Sequence, residues 1–262
     1  MTAATSAETF APRPGAAAVH RMIAAQAAME LRLLLRNGEQ LLLTVVIPTV
    51  LLVIFAAAPM LDLGPGARVD FLAPGVLALA VMSTAFTGQA IATGFERRYG
   101  VLKRLGSTPL PRWALLTAKT LAVLVIEAGQ IALLVAVALA LGWSPKPTPT
   151  AISAAAVLVV AGTAAFSGLG LLMAGTLRAE ATLAAANVVY VLFLAVGGVV
   201  VPLSRFPDAV GKVLDLLPLA ALSEGLRDAL QDGAGFPWGA TFILLTWAVL
   251  AGTAAAAAFK WE

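Results

Sequence analysis

Charged residues are nearly absent from six long apolar runs of this 262-residue chain, and that segregation limits its fold more than any other feature. The runs cover 41–60, 71–95, 120–142, 151–177, 181–203 and 238–259. Of the 17 basic and 14 acidic residues, only Glu127 falls inside one of them. A helix rises about 1.5 Å per residue, so crossing roughly 30 Å of hydrocarbon takes about 20 apolar residues. All six runs reach that length. Membrane-spanning strands would alternate apolar and polar positions over about ten residues, whereas these runs are continuous. In lipid a helix satisfies its own backbone, so helices are expected. Composition agrees. The chain is 60% hydrophobic and 12% charged, against about 25% charged in soluble domains, too few charges to cover a water-facing surface. The expected fold is an all-α membrane protein with six transmembrane helices.

Several chemistries drop out. With no cysteine there is no disulfide, thiolate nucleophile or cysteine-ligated zinc, and the single histidine, His20, excludes paired-histidine metal sites. Intramembrane enzymes need clustered ionisable groups at helix depth, and Glu127 is alone there. No catalytic residue and no metal site is therefore assigned. G-x-x-x-x-G-K-[ST] does not occur, so the chain has no phosphate cradle of that kind.

Lysine and arginine placement sets the expected orientation. Twelve fall on the side of the termini: Arg13, Arg21, Arg32, Arg36, Arg97, Arg98, Lys103, Arg104, Arg112, Lys119, Arg178 and Lys260. Five fall opposite: Arg68, Lys146, Arg205, Lys212 and Arg227. Both termini are expected in the cytoplasm. The start of the chain lacks the apolar core of a cleavable signal peptide. Residues 1–18 are expected to be a disordered tail and 19–40 an amphipathic helix on the membrane face. In that helix Met22, Ile23, Met29, Leu33 and Leu34 form the apolar side, and Arg21, Gln26, Glu30, Arg32 and Arg36 the polar one. Asn37-Gly38 suits a helix stop and bend. The transmembrane domain is 41–262, with spans of about 41–60, 71–95, 112–142, 151–177, 181–203 and 238–259. The third extends back to 112 because Pro111 suits the first turn of its helix.

Two connections carry more than turn signals. In the first, Val101, Leu102 and Leu105 share one side of a short helix that Gly106 can end, while Arg97, Lys103 and Arg104 point elsewhere. This is expected to be a short cytoplasmic coupling helix after the second span. In the second, 204–237, leucines and valines are interleaved with Asp215, Glu224 and Asp228, and Pro207 and Pro218 divide it into two pieces too short to cross the bilayer. Two short amphipathic helices in the outer leaflet, or a re-entrant pair, are expected.

At these residues the sequence resembles the membrane subunit of an ABC-2-type (type V) ABC exporter of the daunorubicin-resistance-like family. Glu96-Arg97-Arg98-Tyr99-Gly100-Val101-Leu102-Lys103-Arg104-Leu105, followed by Thr108-Pro109-Leu110-Pro111-Arg112, is similar to the family's E-R-x-x-G-T-L-E-R-L…T-P-L-x-R stretch. Phe71-Leu72-Ala73-Pro74-Gly75 resembles its aromatic-x-x-P-G start of the second span. Leu217-Pro218-Leu219…Glu224-Gly225-Leu226-Arg227 resembles its N-P-L…E-A-L-R pattern before the last. Val101, Lys103 and Leu217 stand where the family has Thr, Glu and Asn. The resemblance runs from Val19 to the C-terminus.

It implies a permease half that pairs with a second half, either an identical or a related chain, and with two cytoplasmic ATPase subunits in a bacterial plasma membrane. ATP and Mg²⁺ would sit on the ATPase, with no cofactor on this chain. Nucleic acid is not an expected partner; membrane lipid is. Coupling to the ATPase is assigned to Glu96, Arg97, Arg98, Tyr99, Val101, Leu102, Lys103, Arg104 and Leu105, with Arg32 and Arg36 of the N-terminal helix. Gln89, Glu127, Asn187 and Tyr190 are polar groups within spans and candidates for the translocation path. Interhelical hydrogen bonding is the competing reading for each of them. Glu127 could instead pair with Lys119 or relay protons. The small residues Ala164, Gly168, Gly170 and Ala174 are expected to serve helix packing. The function expected is export of hydrophobic or amphipathic compounds (drug, antibiotic or lipid). An ATP-independent channel or secondary transporter is the alternative.

Overall fold

A computed structural model describes residues 15–57, 68–232 and 235–259. The described chain is helical throughout, with no strand among the described residues. The tail expected at 1–18 lies outside them up to residue 14.

Helix α1 (Val19–Arg36) ends at Asn37, and α2 (Gly38–Ala57) starts at the next residue. Pro48 sits inside α2 and removes the N–H that the Thr44 carbonyl would normally accept from. The side chain of Gln130 replaces it, donating from Nε2 to the Thr44 carbonyl at 2.5 Å. The second span is one helix in three parts, Arg68–Arg98: α3 (Arg68–Met82), a π-helical turn at Ser83–Gly88, and α4 (Gln89–Arg98). It is the most deeply buried span and forms the centre of the bundle. Sequence periodicity gave no sign of the π turn, which is held by Thr84 donating to Gln130 Oε1 at 2.9 Å.

Gly100 then adopts φ +72°, a left-handed conformation that turns the chain sharply into α5 (Val101–Gly106). Helix α6 (Arg112–Ala140) follows Pro111, and α7 (Pro149–Thr176) is capped by Thr148 Oγ1, which accepts from Ala151 N–H at 3.1 Å. Helix α8 (Ala179–Val196) stops seven residues short of the expected end at 203. Gly197, Gly198 and Pro202 break the helix there, although the run stays apolar. The outer connection contains a 3₁₀ turn (Leu203–Arg205), α9 (Asp208–Leu214), α10 (Pro218–Arg227) and a second π turn (Asp228–Asp232). Helix α10 does not rest on a surface. Nearly all of it is buried against α3, α7 and α11, whereas α9 buries no residue. Helix α11 (Trp238–Ala258) packs along α7.

Five helices are long and apolar enough to cross a membrane among the described residues: Arg68–Arg98, α6, α7, α8 and α11. The remaining expected run falls on α2, whose apolar part, Thr44–Ala57, is shorter than these five, and its expected end at 60 lies outside the described residues. Close packing explains the small residues of α7. A Cβ on Gly168 would come within 2.8 Å of the Gly252 backbone, and one on Gly170 within 2.8 Å of the Phe86 carbonyl at the π turn.

Candidate functional site

One end of the bundle brings together α1, α4, α5 and the start of α6. A small apolar cluster seats α5 there. Leu102 is fully buried with Leu110, Leu115, Leu171 and Phe259, and Met22 and Ile23 of α1 pack on the same cluster. Beside it lies a buried ionic group. Lys119 Nζ donates to Glu30 Oε2 at 2.9 Å and to Glu96 Oε2 at 2.7 Å, and Gln26 Nε2 donates to Glu30 Oε1 at 2.7 Å. Two carboxylates thus share one ammonium, and the group ties α1 to α4 and α6. A desolvated charge is tolerated only when paired and hydrogen-bonded, so these residues hold one another in place.

This corrects the expected faces of α1. Gln26 and Glu30 point inward against α6, and Met29 and Leu33 are exposed. The inward stripe is Met22, Gln26, Glu30 and Leu34, at four-residue spacing. Its two polar members are buried because Lys119 supplies the complementary charge. A cavity of about 240 Å³ adjoins the group, lined among others by Glu30, Gln89, Glu96, Tyr99, Val101 and Lys119. Gln89, a candidate for the path, and several coupling candidates therefore face one space.

The remaining coupling candidates divide into two sets. Arg97 donates from Nη1 to the Ala174 carbonyl (2.9 Å) and from Nη2 to the Leu177 carbonyl (2.6 Å), which caps the C-terminus of α7. Arg98 forms an ion pair with Glu180 on α8. These two arginines carry internal contacts. Tyr99 is 70% exposed and stacks on Phe95, with ring centroids 6.2 Å apart. On α5, Lys103 and Arg104 are exposed while Val101 and Leu105 are half-buried. Arg32 and Arg36 are exposed on α1.

The four candidates for the path are not gathered in one place. Gln89 is buried and its Oε1 accepts from Ser167 at 2.8 Å. Glu127 is fully buried and its Oε2 accepts from Thr163 at 2.5 Å, so it pairs with α7 rather than with Lys119. Asn187 is exposed halfway along α8, and Tyr190 is half-buried. Two buried pairs, Lys119 with Glu30 and Gln130 with Thr84, were not expected from the sequence. A basic residue inside a helix that continues into a span, with carboxylates on flanking amphipathic helices, was the available signal for the first pair.

The opposite end has its own anchor. The Arg227 guanidinium lies 3.9 Å from the Phe71 ring centroid. Its Nη2 donates to the carbonyls of Phe71 (3.2 Å) and Gly198 (3.1 Å), and its Nη1 pairs with Glu224 at 2.6 Å. Two segments far apart in sequence, 71–75 and 217–227, meet here. Gly75 allows the approach, because a Cβ there would come within 2.7 Å of the Val199 carbonyl.

An all-α bundle with several apolar helices of membrane-crossing length, a buried charge group at one end and an inserted short helix at the other defines a multi-pass membrane protein. Residues 23–230 match the ABC-2 type transporter family, and the chain belongs to it. A search of curated proteins found no match. Members of this family are permeases, the membrane-domain partners of an ATPase subunit rather than the catalysts.

Proposed function

We propose that the chain is one permease half of an ATP-driven exporter, close to the daunorubicin-resistance-like members of its family, in a bacterial cytoplasmic membrane. Six spans with both termini in the cytoplasm put α1 and α5 on the side of the ATPase, where ATP and Mg²⁺ bind to that partner. The cargo is a hydrophobic or amphipathic compound: a drug, an antibiotic or a lipid. A second half completes the path, and the exposed amide of Asn187 offers it a polar contact at mid-span.

The observation that carries this reading is the way α5 is mounted. Its apolar face is sunk in the same cluster as α1 and the ends of α6, α7 and α11, while Tyr99 and Arg104 are exposed. A push on α5 therefore reaches α1 and three spans through packed side chains, and the Lys119 group ties α1 and α6 to α4 by charge.

The test is co-purification with an ABC ATPase encoded nearby and vanadate-sensitive ATP hydrolysis by the complex. The double variant Tyr99→Ala/Arg104→Glu changes two exposed side chains, and the internal contact it gives up is the stacking of Tyr99 on Phe95. It should weaken assembly, or separate hydrolysis from transport, with the fold intact. Transport by the purified chain without an ATPase would overturn the reading in favour of a channel or secondary transporter.

A further inference from the structure

At the end of the bundle opposite α5, the C-terminal half of α6, the first turns of α7 and the second π turn enclose a cavity of about 320 Å³. Leu77, Ile131, Ala155, Val159, Leu226 and Leu230 contribute to its wall, and its exposed lining is entirely apolar. The link 143–148 closes one side and is pinned there, since Lys146 N–H donates to the Leu230 carbonyl at 2.7 Å. Two further observations bear on what fills it. Trp143 lines the cavity and is 5% exposed, and its indole N–H has no acceptor among the described residues. Lys146 is exposed between Pro145 and Pro147, both of which line the cavity.

We propose that this cavity is a phospholipid site that takes one acyl chain from the leaflet at that end, with the headgroup phosphate on Lys146. A peptide segment would bring N–H and C=O groups that an apolar wall leaves unpaired. A polar solute fails for the same reason. An acyl chain needs only apolar contact, and the carbon face of the Trp143 indole supplies part of it. The Lys146 ammonium at the rim is complementary to the phosphate. Asp70 is tied to the start of the same link, where its Oδ1 accepts from Ser144 N–H at 2.9 Å, and its carboxylate leaves Lys146 as the cation offered to the phosphate. The site does not depend on the export reading, because its wall shares no residue with the α1–α5 end.

The test uses the full chain in phosphatidylglycerol nanodiscs with brominated acyl chains, since bromine quenches an indole on contact. The contribution of Trp143 is the fluorescence difference between the wild type and Trp143→Phe. Brominated lipid should quench that contribution, and Ala155→Phe, whose ring fills the cavity, should restore it. Quenching that persists unchanged in folded Ala155→Phe would come from bulk lipid and would overturn the site, as would a Trp143 contribution that bromine leaves undiminished. Lys146→Glu lies on the surface and covers the case in which Ala155→Phe does not fold. In native mass spectrometry of the detergent-extracted protein it should lose retained phosphatidylglycerol. Retention equal to the wild type would overturn the headgroup contact.

Discussion

Lys119 shows how a single charge can organise one end of this molecule. It is 4% exposed and bonded to two carboxylates from two different helices. Removing one partner from a buried ion pair typically costs about 3–5 kcal/mol, whereas removing all partners together can be nearly neutral. Lys119→Met should therefore lower the thermal unfolding midpoint sharply, and Glu30→Gln/Glu96→Gln/Lys119→Met should recover much of the loss. Equal midpoints for wild type and Lys119→Met would contradict the arrangement. Gln130 invites a second measurement. Gln130→Leu removes the donor to the Thr44 carbonyl and the acceptor for Thr84, and leaving a buried polar group unpaired costs about 1–3 kcal/mol. Denaturant or thermal unfolding in detergent should report a loss of that order. For Glu127 the contact is a threonine hydroxyl, which is not a second titrating group to pass a proton to. Glu127→Gln should leave the pH profile of transport unchanged, and a flattened profile would make the residue a relay. Beyond the flanking carboxylates that hint at a partner for Lys119, none of these partnerships was legible from residue types. Glu30 and Gln26 looked like solvent-facing positions because nothing local in the sequence says that an ammonium 89 residues away will face them.

The helices themselves were easier to read, and the exceptions have local causes. Continuous apolar runs bounded by Pro and Gly located α6, α7 and α11 closely, since long uncharged stretches have few alternatives in lipid. The early end of α8 was missed because hydropathy does not register that Gly197, Gly198 and Pro202 oppose helix. The π turn in the second span was missed because it depends on contacts from Gln130 and from α7, not on its own sequence. The pairing of α10 with the start of α3 was likewise hidden, although both segments had been singled out by resemblance. At this scale Gly75 is the sensitive position. Gly75→Val forces branched carbons against the Val199 backbone, and overpacking of this kind costs about 1–3 kcal/mol. The variant should unfold at lower temperature than Gly75→Ala, and Gly75→Ala at lower temperature than the wild type. A neutral Gly75→Val would show that the contact between α3 and the 197–202 segment yields freely.

At the scale of the whole molecule, segregated charge defined a membrane bundle, and the packing of that bundle separates two kinds of basic residue in the segment after the second span. Arg97 is committed to the carbonyls at the end of α7 and Arg98 to a surface ion pair with Glu180 on α8, so charge reversal there also breaks contacts within the chain. Tyr99, at the end of α4, and Arg104, on α5, are exposed, while the other side of α5 is locked into the spans. In the function proposed above, this exposed face receives work from an ATPase and the locked face delivers it to the bundle. The most direct measurement is vanadate-sensitive ATP hydrolysis and cargo transport, recorded together on the reconstituted permease–ATPase complex, wild type against Tyr99→Ala/Arg104→Glu. The variant is expected to fold and to have lost assembly, or to hydrolyse ATP still but no longer transport. Full assembly with transport and hydrolysis at wild-type ratio would contradict it.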